Sequence, residues 1–492
     1  MTISFNEIPN NLRVPLFYAE FDNTRAVQGG ATQEYNILLI GNKLPAGTKN
    51  ELEPFVITSK EQAQEYFGIG SVLADMAAAH LANNTVHELT CIAIDDDGAA
   101  NAAAGNILFA GTATKAGTVS LMIGGKNIRV GVAVGDTAAD IATALADEIS
   151  ASENADLVVS GVVNGVTAEQ VDLTAKNAGE HGNEIDVRAS YFAGEELPAG
   201  ISATITALTG GTANPDVDQV WPVIGDKQYI LMVTPWTDAQ TIVKMETELL
   251  GRFGPLEAND GYALYAKRDS LANLQTLGNS RNSQFTTIMG MEGPSSPWAW
   301  ASALAGQVAN SASIDPARPF QTLRLVGILA PSQDELFTLT ERNLLLFDGI
   351  ATYSVDSGSN VLIEAVITTY KENAFGAPDP SYLYLNTLLT LSYLRFDLKA
   401  RITLSYPRHK LADDGTSFDP GIAIVTPSGI KAEIVTKFRE WESKGLVEGF
   451  DQFKNDLIVE RNADNPNRVD VLMPPDLVNQ LRIVGTKIQF LL

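Results

Sequence analysis

The hydrophobic pattern changes period several times along the chain, and the changes mark out its organisation. Between residues 35 and 97 it reads strand, helix, strand. Tyr35–Ile40 is a short apolar run ended by Gly41, and Ser59 followed by Gln62 predicts a capping-box helix start. Ser71–Leu81 predicts a second helix, and Leu89–Ile94 a buried strand. From 98 to 213 the texture shifts to Ala, Gly, Thr and Val, without a Trp. There, Val119–Ile123 and Ile128–Val134 flank Gly124-Gly125-Lys126-Asn127 as a hairpin, Asp136–Ile149 is an amphipathic helix, and strands follow at Leu157–Val163, Val171–Ala175, Ile185–Tyr191 and Ile201–Leu208. The segment begins in Gly/Ala-rich sequence and ends at Gly210-Gly211-Thr-Ala-Asn-Pro215, as a domain inserted into a loop would.

Strand–helix alternation then resumes, with strands at Tyr229–Val233, Tyr262–Ala266, Phe285–Met289 and Leu323–Leu329 and helices near 238–251, 270–278 and 297–312. Alternation on both sides of the insert predicts one α/β layer, interrupted in sequence but continuous in space. Beyond 340, Val361–Tyr370 reads as a strand, Tyr382–Arg401 as a long helix, and Ser428–Lys444 as a helix burying Ile430, Ile434, Phe438 and Trp441.

The two ends differ from the interior. Leu12–Phe21 is rich in strand formers, but Pro15 cannot donate to a ladder, which makes it an edge or added strand. Val14, Leu16 and Tyr18 lie on one of its faces, Phe17 and Phe21 on the other. The last residues read as a strand too, with Val484, Ile488, Phe490 and Leu492 to one side and Lys487 and Gln489 to the other. Such an apolar strand expects a sheet to join, its own or a neighbour's.

The expected fold class is therefore α/β and α+β multidomain. A discontinuous α/β layer (35–97 and 214–339) is interrupted by a β-rich, α+β inserted domain (98–213) and followed by a C-terminal α/β domain (340–480). An N-terminal arm (1–34) and a C-terminal arm strand (481–492) flank these.

Composition narrows the chemistry. The chain has 492 residues, 45% hydrophobic, with a formal net charge of −25. Residues 1–214 carry 10 basic and 26 acidic side chains and residues 215–492 carry 24 and 33, so the second part is nearer balance and suits partners of both signs. So acidic a surface repels phosphate backbones, and direct nucleic-acid binding is not expected. The one basic cluster, Arg395, Lys399, Arg401, Arg408, His409 and Lys410 around Asp397, reads as a salt-bridged helix face. Neither a secretory signal nor an apolar stretch of membrane-spanning length is evident, which predicts cytoplasmic synthesis without membrane insertion. Cys91 stands alone in an apolar run and reads as a small buried hydrophobe.

Catalytic patterns are missing. His80, His87, His181 and His409 are scattered without metal-ligand spacing. Gly68-Ile-Gly-Ser is a fragment of a nucleotide fingerprint, better explained as a helix-entry turn. Asp95-Asp96-Asp97 could hold a cation, or form a solvated edge at the insertion boundary. No GxxxxGK[ST] loop or GxSxG elbow occurs, so the expectation is no enzyme, no cofactor and no metal.

Specific segments carry more information. Ile3–Pro9 with Arg13–Leu16 and Glu20–Asn23, Asp315–Pro319, Thr322–Leu325, Gly327–Pro331, Glu341–Leu346, Asp348–Thr352, Ile367–Tyr370, Tyr406–Gly415, Val459–Asp464, Asn467–Asp470 and Asn479–Arg482 together resemble, in order, the tail sheath proteins of bacteriophage Mu type. The resemblance implies a subunit that polymerises as stacked hexameric rings around a tail tube, and a cylinder that shortens irreversibly to drive the tube through the host envelope. It further implies a tube-proximal C-terminal domain whose β-sheet is completed by arms of neighbouring subunits, an outward-facing insert, and tube, baseplate and tail terminator proteins as partners. The setting would be a virion tail, assembled in the host cytoplasm.

On that basis Val14, Leu16, Tyr18, Val484, Ile488 and Phe490 are the expected inter-subunit arm contacts. Lys431, Lys437, Arg439 and Lys444, on the exposed side of the 428–444 helix, are the candidates for touching the tube. The alternatives are arms packed on their own domain and an ordinary solvated helix face. A tailocin or contractile injection sheath would use the same subunit, and a doubly wound α/β ligand-binding enzyme is the rival from another class.

Overall fold

The computed structural model describes residues 33–419 and 421–491. Val14, Leu16, Tyr18 and Leu492 lie outside them. Contacts divide the chain into a larger unit, Glu34–Ser392, Trp441–Glu448 and Asp476–Leu492, and a smaller one that includes Tyr393–Glu440 and Gly449–Pro475.

The larger unit is built on a sheet whose strands come from both sides of a long excursion. Before it run β1 (Ile37–Asn42), β2 (Pro54–Val56) and β3 (Leu89–Ile94), with helices α1 (Lys60–Phe67) and α2 (Val72–Leu81) between the last two. The excursion contains β4 (Ala104–Gly111), β5 (Gly117–Ile123), β6 (Lys126–Val132), α3 (Ala138–Ser150), β7 (Val159–Val163), β8 (Gln170–Ala175), β9 (Val187–Ala189) and β10 (Ile201–Thr209). After it come α4 (Trp221–Ile224), β11 (Leu231–Val233), α5 (Ala239–Phe253), β12 (Tyr262–Arg268), α6 (Leu271–Asn279), β13 (Thr286–Met291) and α7 (Pro297–Ile314). The six-stranded sheet has the order β13-β12-β11-β1-β3-β2, parallel except for β2. Strands β1 and β3 have no exposed position, as expected where helices cover both faces of a parallel sheet.

Helix α7 is apolar nearly all round, the signature of a helix buried on every side. It packs against α2 so closely that a Cβ on Gly306 would sit 3.0 Å from Asn83 Cβ and 3.1 Å from the His80 carbonyl. Local chemistry sets the helix starts. Ser59 accepts from Gln62 N, but the Gln62 side chain closes onto Thr58 N at 2.8 Å, one residue earlier than a capping box requires. Complete boxes form at Thr137/Asp140 and Thr338/Glu341.

The excursion folds into two antiparallel sheets, β10-β4-β8-β7 and β6-β5-β9, with α3 packed on strands of both. The β5–β6 turn is two residues, Gly124 and Gly125, shorter than the four the sequence suggests. Positive φ at both (55° and 86°) matches the turn type that a two-residue hairpin needs. Beyond α7, the strands β14 (Arg324–Leu329), β15 (Thr352–Val355) and β16 (Asn360–Ala365) form a further antiparallel sheet beside α8 (Leu339–Phe347). Strand β16 ends at Ala365, five residues before the expected end. The chain then leaves to make an isolated bridge from Ile367 to Tyr384.

Helix α9 (Leu385–Ser405) leads out of the larger unit. The smaller unit has the short pair β17 (Lys410–Leu411) and β18 (Ile424–Val425), most of α10 (Pro427–Ser443), α11 (Phe450–Asp456) and the ribbon β20 (Ile458–Arg461) and β21 (Val469–Leu472). Between them β19 (Val447–Glu448) returns to the larger unit, where β22 (Asp476–Leu477) pairs with it. Phe438 of α10 stacks on Phe453 of α11, with ring centroids 3.9 Å apart. Ile434 is buried with Phe438, whereas Ile430 is only half-buried.

Two buried histidines stand against α7, His80 near Ser302 and His181 edge-on to Trp298 and beside Asn214. Burial holds both pKa values down to about 4, so both rings are neutral in the folded protein. Above pH 6.5 this costs nothing, because the unfolded rings are neutral too. As pH falls from 6.5 towards 4 the unfolded state binds the protons first and stability drops. At pH 5 the loss should be roughly 2 kcal/mol per histidine. Melting temperatures from pH 7 to 4.5 should therefore fall less steeply in His181→Gln than in the wild type; parallel curves would refute the linkage.

Candidate functional site

The first place to look for a ligand is the sheet itself. With β1 between β3 and β11, the connections leave in opposite directions. The crevice beyond the carboxyl ends of such strands is where open α/β sheets bind ligands. Here the chain's own side chains close its floor. Asn42, the last residue of β1 and fully buried, donates from Nδ2 to Asp96 Oδ1 at 2.7 Å and accepts from Trp236 Nε1 at 3.1 Å. Trp236 is fully buried. From the excursion, Asn177 Nδ2 donates to Asp96 Oδ1 at 3.1 Å and to the Lys43 carbonyl at 2.9 Å, while Ala178 N donates to Asp96 Oδ2 at 2.7 Å.

The acidic run therefore has a different role from either sequence reading. Asp96 is a half-buried latch whose two oxygens take three donors. Burial raises its carboxyl above the usual range even against those hydrogen bonds. Gly68 and Gly70, both with positive φ, form the turn between α1 and α2, with Ser71 capping the second helix. His87 Nε2 lies 2.9 Å from Ser313 Oγ, and among the described residues no group of three His, Cys, Asp or Glu side chains is placed to hold a metal.

The C-terminal segment departs from expectation. After β22, Val478 N donates to the Leu446 carbonyl at 3.1 Å. Arg482 then anchors the segment, its guanidinium 3.8 Å from the Tyr384 ring centroid and donating to Asn386 Oδ1 at 3.2 Å. From 483 to 491 no strand forms. Val484 is 73% exposed, Ile488 83% and Phe490 77%. The expected strand is absent: beyond Arg482 the segment pairs with no strand among the described residues. The apolar side chains that would line one face are left in water.

Helix α10 also needs correction. Lys437 is not on an exposed face: it is buried, and its ammonium pairs with Asp397 at 2.8 Å and Glu440 at 2.6 Å. Burial opposes the charge, but the carboxylates outweigh it and raise the Lys437 pKa. Lys431 is half-buried and donates to the Leu457 carbonyl at 2.6 Å. Arg439 is exposed, with its guanidinium over the Phe450 ring at 3.1 Å, and Lys444 is exposed just past the helix end. In the basic cluster Arg401 pairs with Glu433 at 2.9 Å, which absorbs part of its charge, while Asp397 is taken by Lys437.

Along its full length the chain is 44% identical to the Mu-like prophage FluMu tail sheath protein of Haemophilus influenzae, covering 100% of both chains. The chain belongs to the phage tail sheath family. Models of that family match here twice, the tail sheath protein central domain at residues 210–369 and the tail sheath C-terminal domain at residues 377–490. The fold is similar to the sheath of an extracellular contractile injection system in its contracted state (TM-score 0.50, 10% identity, 97% of this chain and 98% of that one). The sheath tail protein of Desulfitobacterium hafniense aligns with a TM-score of 0.49 at 12% identity, over 95% of this chain and 97% of that one.

In this sheath protein the plug at the sheet crevice went unseen in the sequence. Asn42, Asp96, Asn177 and Trp236 are far apart along the chain and share no motif. The one available signal was polar residues directly after buried strands. The plug should be structural: Trp236→Ala should destabilise the unit by about 3–5 kcal/mol through cavity formation. Trp236→Phe, which keeps bulk but strands Asn42 Oδ1, should cost about 1–3 kcal/mol. Chemical denaturation of both variants measures the difference; equal, negligible losses would show that the crevice is not sealed by these contacts.

Proposed function

We propose that this tail sheath protein works as a mechanical subunit, without catalysis, and that its C-terminal segment is given to a neighbouring copy. The observation carrying the proposal is the run from Ile483 to Leu491, anchored at Arg482 and exposed beyond it with five large apolar side chains, Ile483, Val484, Ile488, Phe490 and Leu491, in water. A covered partner surface resolves that exposure. Among the described residues the ribbon β20–β21 has two strands, and it exposes Ile458, Val471 and Leu472. Two strands alone are marginal, and an added strand completes such a sheet through main-chain hydrogen bonds. Val14, Leu16 and Tyr18 of the N-terminal arm would supply a second added strand.

Rings repeating such head-to-tail contacts with a rise build a helical cylinder, not a closed dimer. Added strands can persist while subunits rotate as rigid bodies, so contraction requires only that the shortened lattice bury more or better-matched surface, multiplied over many copies. The 98–213 segment is then an outward domain inserted into the central α/β layer, and 340–480 faces the tube. Tube contact falls to Lys431, Arg439 and Lys444, with Lys437 replaced by its role inside the helix pair. Tube, baseplate and terminator proteins are the other partners, in a virion tail assembled in the host cytoplasm. A tailocin or injection-system sheath would use the same chemistry.

Negative-stain electron microscopy tests this directly. The full-length chain should form hollow ringed tubes. Truncation after Gln480, or Ile488→Asp with Phe490→Asp, should abolish them while circular dichroism stays unchanged. Tubes from all three would overturn strand donation while leaving the sheath assignment intact.

A further inference from the structure

One side chain fastens the root of the C-terminal segment. After β22 and the bond from Val478 N to the Leu446 carbonyl, the next hydrogen bonds among the described residues come from Arg482. Its neighbours Leu481 and Ile483 are exposed, whereas Arg482 is half-buried. Its guanidinium lies 3.8 Å from the Tyr384 ring centroid, and Nη2 donates to Asn386 Oδ1 at 3.2 Å and to Gln480 Oε1. A planar guanidinium can stack on a ring and donate in its own plane at once, which an ammonium cannot.

What Arg482 grips is itself held. Tyr384 is bridged to Ile367, and Asn386, in the first turn of α9, is fully buried. Asn386 Nδ2 donates to the Pro316 carbonyl at 3.0 Å and the Arg318 carbonyl at 2.7 Å, in the turn that follows α7. Both amide hydrogens are thereby spent, and only the oxygen is left for the segment. A flipped amide would set donors against the guanidinium and oxygen against two carbonyls. The acceptor is therefore locked towards Arg482, and the clasp joins the end of α7, the start of α9 and the root of the segment.

We propose that Arg482 is the positioning residue of the C-terminal segment, fixing the point and direction from which it leaves for a neighbouring copy. The inference rests on the strand donation proposed above. Without the clasp the last fixed residue is Val478, and residues 479–482 become slack. Slack alone lowers the effective concentration of the segment at its acceptor roughly twofold. Because the freed residues must also be ordered anew on binding, tubes should need about tenfold more protein.

Two Gly-Ser-Gly-Ser insertions separate position from length. Placed between Asn479 and Gln480, before the clasp, the insert should leave tubes forming at the wild-type concentration by negative-stain microscopy and sedimentation. Placed between Arg482 and Ile483, beyond the clasp, it should raise that concentration about tenfold. Arg482→Met should do the same with an unchanged melting temperature, and Tyr384→Phe, which keeps the ring, should assemble as the wild type does. The free subunit supplies a second readout, from nitroxides at Ile483→Cys and Thr340→Cys. Both positions are exposed and lie in the larger unit, while Cys91 is buried. There Arg482→Met should widen the distance distribution about 1.5-fold. Equal effects of the two insertions, or an unchanged width in Arg482→Met, would overturn the positioning role alone. Tubes from the chain truncated after Gln480 would overturn strand donation, and this role with it.

Discussion

The pairing of β1 with β11 holds this molecule together. Ile37, Leu38 and Leu39 lie opposite Leu231, Met232 and Val233, and across that short parallel ladder the two sequence-distant halves of the central sheet join. Parallel pairing between residues almost two hundred positions apart closes a long loop, so it must be repaid by burial. The repayment is visible: all six strand residues are fully buried or nearly so, and α7 packs against the same strands. Trp236, Asn42, Asp96 and Asn177 then tie the returning chain, the first strand and the excursion into one polar knot.

That closure has a functional consequence. A doubly wound sheet normally leaves its crevice for a ligand, and here the crevice is spent on holding the long excursion in place. The chemistry that remains at the periphery is the chemistry of assembly: exposed apolar side chains on a segment without a sheet, a two-stranded ribbon with room for more strands, and a surface whose second half is nearly charge-balanced.

The excursion is held by charge as well. The 98–213 segment is tied to the central layer at several places, among them the Asp96 knot, the Glu184–Arg188 cluster and the Lys60–Asp156 and Lys126–Asp75 ion pairs. In the first, three donors meet one carboxylate; in the second, Glu184 pairs with Lys267 and Arg188 with Asp186 and Glu335.

The chain's own sequence was enough to locate most elements of the central layer, where each is specified locally, but it gave no separate signal for β2, β4, α8, β15 or α11 and the short strands after residue 405. The short runs at 89–94 and 285–289 are too brief for helices and rich in strand-forming residues. Gly124-Gly125 can only turn tightly, and the spacing of Ile141, Leu145 and Ile149 permits one helix face. It also carried the family resemblance, since ordered segments persist without reference to contacts. What it could not decide were outcomes that depend on partners distant in the chain. Lys437 follows the pattern of a solvated face, yet Asp397 forty residues earlier draws it inward. Asp96 looks like one of three surface acids until Asn42 and Asn177 converge on it. The residues after Arg482 alternate like a strand but pair with no edge among the described residues. Periodicity is written into consecutive residues, whereas ion pairs, plugs and strand edges exist only once the fold has brought separate segments together.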